Sequence, residues 1–94
     1  MRGAAPDPRL DALTTSFLRN KQAEFGVLAQ ASPPDLSAIA VAAHRLRGAG
    51  GAYGFDALSE AAALLEAAAG DRDVDAARRA LQQINKLLSS LIGN

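Results

Sequence analysis

The chain has 94 residues, 49% of them apolar, ten lysines and arginines against ten aspartates and glutamates, a single histidine and no cysteine. That length fits one domain with one modest core, and the charge balance leaves no overall attraction to nucleic acid or an anionic membrane. The missing thiols exclude a disulfide scaffold and thiolate metal sites, and with one histidine no metal site is expected.

Residues 1–8, which include Gly3, Pro6 and Pro8, read as a flexible leader or linker, with the domain expected over 9–94. They lack a signal-peptide apolar core, and no stretch approaches the roughly 18 apolar residues of a membrane span. A cytoplasmic domain without membrane contact is expected. Proline is tolerated in a first helical turn, so the first helix is predicted from about Arg9 to Gln30. Its stripe is Leu10, Leu13, Phe17, Leu18, Phe25 and Leu28, at three- and four-residue spacings. Pro33 and Pro34 end it, and Pro34 or Asp35 opens a second helix, with a carboxylate near its positive end. That helix turns Leu36, Ile39, Ala43, Leu46 and Tyr53 to a core.

Gly54 breaks the pattern, and Asp56 is the expected N-cap of a third helix that buries Leu58, Ala61, Ala62, Leu65 and Ala69. Gly70 closes it. The fourth helix carries Val74, Ala77, Leu81, Ile84, Leu88 and Leu91, ahead of a stop at Gly93. Short connections force neighbouring helices to run in opposite directions, so an all-α, antiparallel four-helix bundle is expected. One bundle uses up the apolar stripes, which favours a monomer. A coiled-coil dimer built on the fourth segment is the competing architecture, but prolines and glycines divide the chain too often for one continuous rod.

The second helix poses a problem that its stripe does not answer. Gly48, Gly50 and Gly51 lie on it, and a helix-interior glycine is worse than alanine by about 0.8–1.0 kcal/mol. In a chain rich in alanine, their presence suggests that something large approaches the helix beside His44. At 3.6 residues per turn, Arg47, Gly48 and Gly51 fall within about 60° of His44, while Ile39, Leu46 and Tyr53 fall on the other side. Such a face suits an imidazole that carries a phosphoryl group while a partner presses against it. Gly48-Ala49-Gly50-Gly51 is not a phosphate-binding P-loop, since it lacks the Lys-Ser/Thr that follows and lies inside a helix.

His44-Arg45-Leu46-Arg47-Gly48, followed by Gly51, Gly54, Leu58 and the pair Leu65-Glu66, resembles the histidine-containing phosphotransfer (HPt) domain of two-component phosphorelays. The resemblance covers about residues 14–92. It implies a four-helix bundle that is a phosphoryl carrier and not an enzyme, accepting phosphate from a receiver-domain aspartyl phosphate and passing it to another receiver. His44 would be the phosphoacceptor through Nε2. Glu66, twenty-two residues on, would hold Nδ1–H and support positive charge on the ring. Arg47 stands where the family has lysine and would offset the phosphoryl charge, a guanidinium binding phosphate bidentately where an ammonium acts as a point charge.

Ala49 departs further, since family members often carry serine there, and one possible hydrogen bond near the imidazole is absent. Gly48 would admit the receiver's loops. Arg45 and Gly51 would lie on the docking surface, and Arg45 would steer an acidic receiver pocket. Phe17 and Leu18 read as core residues by periodicity. The family's apolar patch on its first two helices makes them candidates for partner contact.

The resemblance implies receiver domains as partners, a hybrid sensor histidine kinase as a possible further one, and no cofactor. Mg²⁺ would sit on the receiver. Two alternatives stay close to this reading: a helical adaptor that docks a receiver without carrying phosphate, and the phosphotransfer segment of a chemotaxis-type kinase. A helix-turn-helix nucleic-acid module fits poorly with zero net charge and no clustered basic helix.

Overall fold

The structure, a computed structural model, describes residues 8–93. The leader expected over residues 1–8 lies outside the described residues except for Pro8, as does the side chain of Leu10. Four helices follow one another: α1 (Pro8–Gln30), α2 (Leu36–Ala52), α3 (Asp56–Gly70) and α4 (Val74–Ile92). Among the described residues there is no strand, and no helix is long and apolar enough to cross a membrane.

Side chains and turns set the helix ends. The Asp35 carboxylate accepts the Ala38 N–H at 3.0 Å and starts α2, and Asp73 accepts the Ala76 N–H at 3.1 Å and starts α4. Asp56 does not cap α3 as expected. It is the first helical residue, its charge sits in the positive first turn, and the N-cap position belongs to Phe55, which makes no side-chain capping bond.

The turns after α2 and α3 share one hydrogen-bond pattern. Gly54 N–H donates to Gly51 O at 3.0 Å and Phe55 N–H to Gly50 O at 2.8 Å. In the next turn Arg72 N–H donates to Ala69 O at 3.1 Å and Asp73 N–H to Ala68 O at 3.0 Å. Both are Schellman motifs, which place one residue in the left-handed region. Gly54 takes it without strain at φ +85°, whereas Arg72 must take it with a side chain at φ +58°.

These turns fold the helices into an antiparallel bundle. Gln22 Nε2 donates to Ser89 Oγ at 3.3 Å and Asn85 Nδ2 to Phe25 O at 3.2 Å, so α1 and α4 run past each other in opposite directions. The packing of α2 on α3 is the most extensive, and α1 rests on α4 far more than on α2. The core consists of leucines and alanines around Phe25, Ile39 and Ile84, with no buried polar side chain among the described residues. Ala42, Ala43, Ala61, Ala62, Ala68 and Ala69 are all buried on α2 and α3. Small side chains on both partners let these two helices approach closely.

Every core position expected for α3 is buried. Two expected stripes thin out towards helix ends: Leu13 of α1 and Val74 and Leu91 of α4 are exposed. Tyr53 is a correction of the same kind. It stands one residue past α2, is 44% exposed, and stacks on Phe17 with ring centroids 4.2 Å apart and planes 13° from parallel.

Candidate functional site

His44 lies near the middle of α2 on the face that the bundle leaves open. Because α2 and α3 are antiparallel and joined by the tight turn at Gly54, the third turn of α3 passes alongside it and brings Glu66 to the imidazole. His44 Nδ1 lies 2.9 Å from Glu66 Oε2, and Arg47 Nη1 donates to Glu66 Oε1 at 3.0 Å. One carboxylate therefore bridges the histidine and the arginine one turn along.

A carboxylate accepts and does not donate, so the short contact places the ring proton on Nδ1. In the neutral ring the lone pair is then on Nε2, which has no protein hydrogen-bond partner among the described residues. It belongs to a side chain that is 67% exposed. The result is an oriented ring whose Nε2 is available to solvent or a partner. Glu66 itself is less exposed, at 28%, and is the more firmly held of the two.

Arg47, whose charge is expected to offset phosphoryl oxygens, already has a partner. It is paired with Glu66. A guanidinium has five N–H donors in a planar fork, so a contact to one oxygen leaves others to face an incoming anion.

The glycines divide by role. At Gly48 a Cβ would meet nothing within 4 Å, and this exposed position one turn from His44 leaves the approach clear. Gly50 is buried, and its Cβ would stand 3.2 Å from Ser59 N and 3.5 Å from Phe55 O. Its lack of a side chain thus serves the contact of α2 with α3, where the sequence had suggested an external partner. Gly51 is exposed on the His44 face, as expected for a docking position.

The remaining expected contact residues part company. Arg45 is exposed and borders a hollow of about 550 Å³ between α1 and α2, with Val27, Leu28 and Val41 as its apolar wall. Phe17 is half-buried and, with Leu13 and Tyr53, lines a second hollow of about 430 Å³ farther along the same seam. Leu18 is only 5% exposed and belongs to the core. It cannot offer a partner its side chain, which corrects its place among the contact candidates. A larger hollow of about 950 Å³ lies along α4, lined by Asn85, Lys86 and Ser89, and shares no residue with the His44 site. Nε2 of His44 thus lies on an open helix face, suited to a docking macromolecule more than to an enclosed small molecule. No cluster of histidine and carboxylate side chains suited to a metal ion occurs among the described residues.

The family model of the Hpt domain matches residues 9–94. The chain belongs to the Hpt domain family. Hpt domains perform histidine phosphotransfer in two-component systems, act as phosphocarrier modules and interact with receiver domains. No curated protein and no solved structure matches the chain.

Within this Hpt domain the sequence did not single out Ser59. Its hydroxyl donates to the main-chain oxygen of Arg47 at 2.7 Å, from α3 to α2. The available signal was a spacing: Ser59 precedes Glu66 by seven residues, two turns on one helix face.

Proposed function

We propose that this Hpt domain takes a phosphoryl group on His44 Nε2 from a receiver's aspartyl phosphate and returns it to the aspartate of another receiver. The observation that carries the proposal is the 2.9 Å contact of Nδ1 with Glu66, which orients the ring so that in its neutral form the lone pair is on the open Nε2. In the forward step the Nε2 lone pair attacks phosphorus, the Nε2–P bond forms, and the P–O bond to the aspartate breaks with its electron pair leaving on the carboxylate. The Nδ1 proton stays in place. The ring gains positive charge, which Glu66 offsets through its hydrogen bond to Nδ1–H, and Arg47 faces the phosphoryl oxygens with its remaining donors.

Receiver residues would supply Mg²⁺ and the aspartate, and this chain would need no cofactor. Gly48 and Gly51 would let the receiver's loops close on His44, with Arg45, Phe17 and Tyr53 at the edges of the contact. The domain would work as a single copy, since most residues of its apolar stripes are buried within the bundle.

Phosphorus NMR of the protein after treatment with a phosphorylated receiver tests the assignment to the atom. The expected signal is that of Nε2-phosphohistidine. Phosphate on Nδ1 would contradict the role given to Glu66, and phosphate on any other residue would contradict the role given to His44.

A further inference from the structure

The contact between His44 and Glu66 has little strength of its own. Both partners are partly open to water, and such surface pairs contribute little. A carboxylate that must orient one imidazole tautomer therefore depends on the frame that carries it. The bond from Ser59 Oγ–H to Arg47 O fastens that frame.

Ser59 joins the site to the bundle in two ways. Its hydroxyl, 2.7 Å from the Arg47 oxygen, ties α3 to the residue whose own guanidinium holds Glu66 Oε1 at 3.0 Å. Its main-chain nitrogen lies where a Cβ on Gly50 would come within 3.2 Å, so α2 and α3 are in close contact at this level. Ser59 and Glu66 share a face of α3, about 10 Å apart along the axis at 1.5 Å per residue. A continuous chain of groups results: Ser59 hydroxyl, Arg47 carbonyl and guanidinium, Glu66 carboxylate, His44 Nδ1–H. Among the described residues, the three side-chain hydrogen bonds that cross from α2 to α3 are the links of this chain.

The geometry points to Ser59 as a positioning residue for His44: its hydroxyl fixes the register of α3 on α2 and so holds the Glu66 carboxylate where it keeps the Nδ1–H tautomer. The tautomer part stands on geometry alone, and the consequence for transfer rests on the phosphoryl-carrier reading above. Ser59 touches neither the reacting nitrogen nor the phosphoryl group. Its effect passes through Arg47 and Glu66.

The test compares parent, Ser59→Ala and Ser59→Thr by nitrogen NMR of the His44 ring without phosphate, then by initial rate of phosphoryl uptake from a receiver. Ser59→Ala is expected to lower the ratio of Nδ1–H to Nε2–H tautomer by about two- to fivefold, no more than the His44–Glu66 contact itself can supply. Uptake should slow by a similar factor, with helix content kept, and Ser59→Thr should restore both. A tautomer ratio unchanged in Ser59→Ala overturns the inference whatever the rates do. Equal loss in Ser59→Ala and Ser59→Thr also overturns it, because the effect would then follow packing and not the hydroxyl. A ratio that responds to Ser59 in a protein whose parent takes up no phosphate would uphold the positioning role and sink the carrier reading, so the two failures are distinguishable.

Discussion

Gly48 and Gly50 stand two residues apart on α2, and alanine should affect them oppositely. Replacing a helix-interior glycine gains about 0.8–1.0 kcal/mol from backbone propensity. At Gly48 the new Cβ meets nothing within 4 Å, so the gain is kept whole. For a domain of this size about 1 kcal/mol corresponds to a rise in Tm of about 4–8 °C. At Gly50 the Cβ would come within 3.2 Å of Ser59 N and 3.5 Å of Phe55 O and Ser59 Cα, all main-chain atoms.

Those atoms are pinned, since Phe55 N–H donates to Gly50 O at 2.8 Å and Ser59 N–H to Phe55 O at 3.0 Å. Overpacking against such neighbours costs about 1–3 kcal/mol. Less the propensity gain, Gly50→Ala should destabilise by roughly 0–2 kcal/mol. Thermal melts followed by far-ultraviolet circular dichroism read both variants. A Gly50→Ala protein that melts at or above Gly48→Ala would refute the assignment of Gly50 to the helix contact. In the same samples Gly48→Ala should slow phosphoryl uptake although the fold is tighter, because the added methyl stands on the receiver's approach.

Glu66→Ala removes the acceptors of both His44 and Arg47 and is expected to slow phosphoryl uptake about five- to tenfold, from the loss of roughly 1 kcal/mol of orienting interaction. Glu66→Gln keeps an acceptor oxygen and should slow it less; equal rates for Ala and parent would show that the contact does not matter. Arg72→Gly relieves a left-handed residue, which costs a side chain about 1–2 kcal/mol, and should raise Tm with no change in uptake; a lower Tm would contradict the strain read from φ. Leu18→Ala should cost stability in the range of about 2–5 kcal/mol for a buried leucine. Phe17→Ala should cost less stability and more receiver affinity, a split readable by melting and by titration with a receiver; the reverse split would return Leu18 to the interface.

Much of this bundle can be read from spacing because its periodic signals are local. Prolines 33 and 34, Gly54, Gly70 and Gly93 mark boundaries within three residues of those observed, and Asp35 and Asp73 cap as aspartates before apolar runs do. Glu66 reaches His44 across twenty-two residues, and only the family motif pointed to that pair. Periodicity does not say how far along a helix its neighbours cover the stripe, and Tyr53, Leu13 and Leu91 continue the spacing yet are exposed. Leu18 and Phe17 are adjacent in sequence, and the packing of α1 against the bundle decides which of them faces inward. Gly50 and Gly48 look alike in sequence, and only the path of α3 separates them. Ser59 carried no motif, because its partner is a main-chain carbonyl that any residue would present.

The central claim is that His44 carries phosphate. Its most direct test mixes the protein with a receiver bearing a radiolabelled aspartyl phosphate, beside the His44→Gln variant, and follows the acid lability of any label gained. The account predicts acid-labile, base-stable label on the parent and none on His44→Gln. Label on His44→Gln, or none on a folded parent with several receivers, would contradict it.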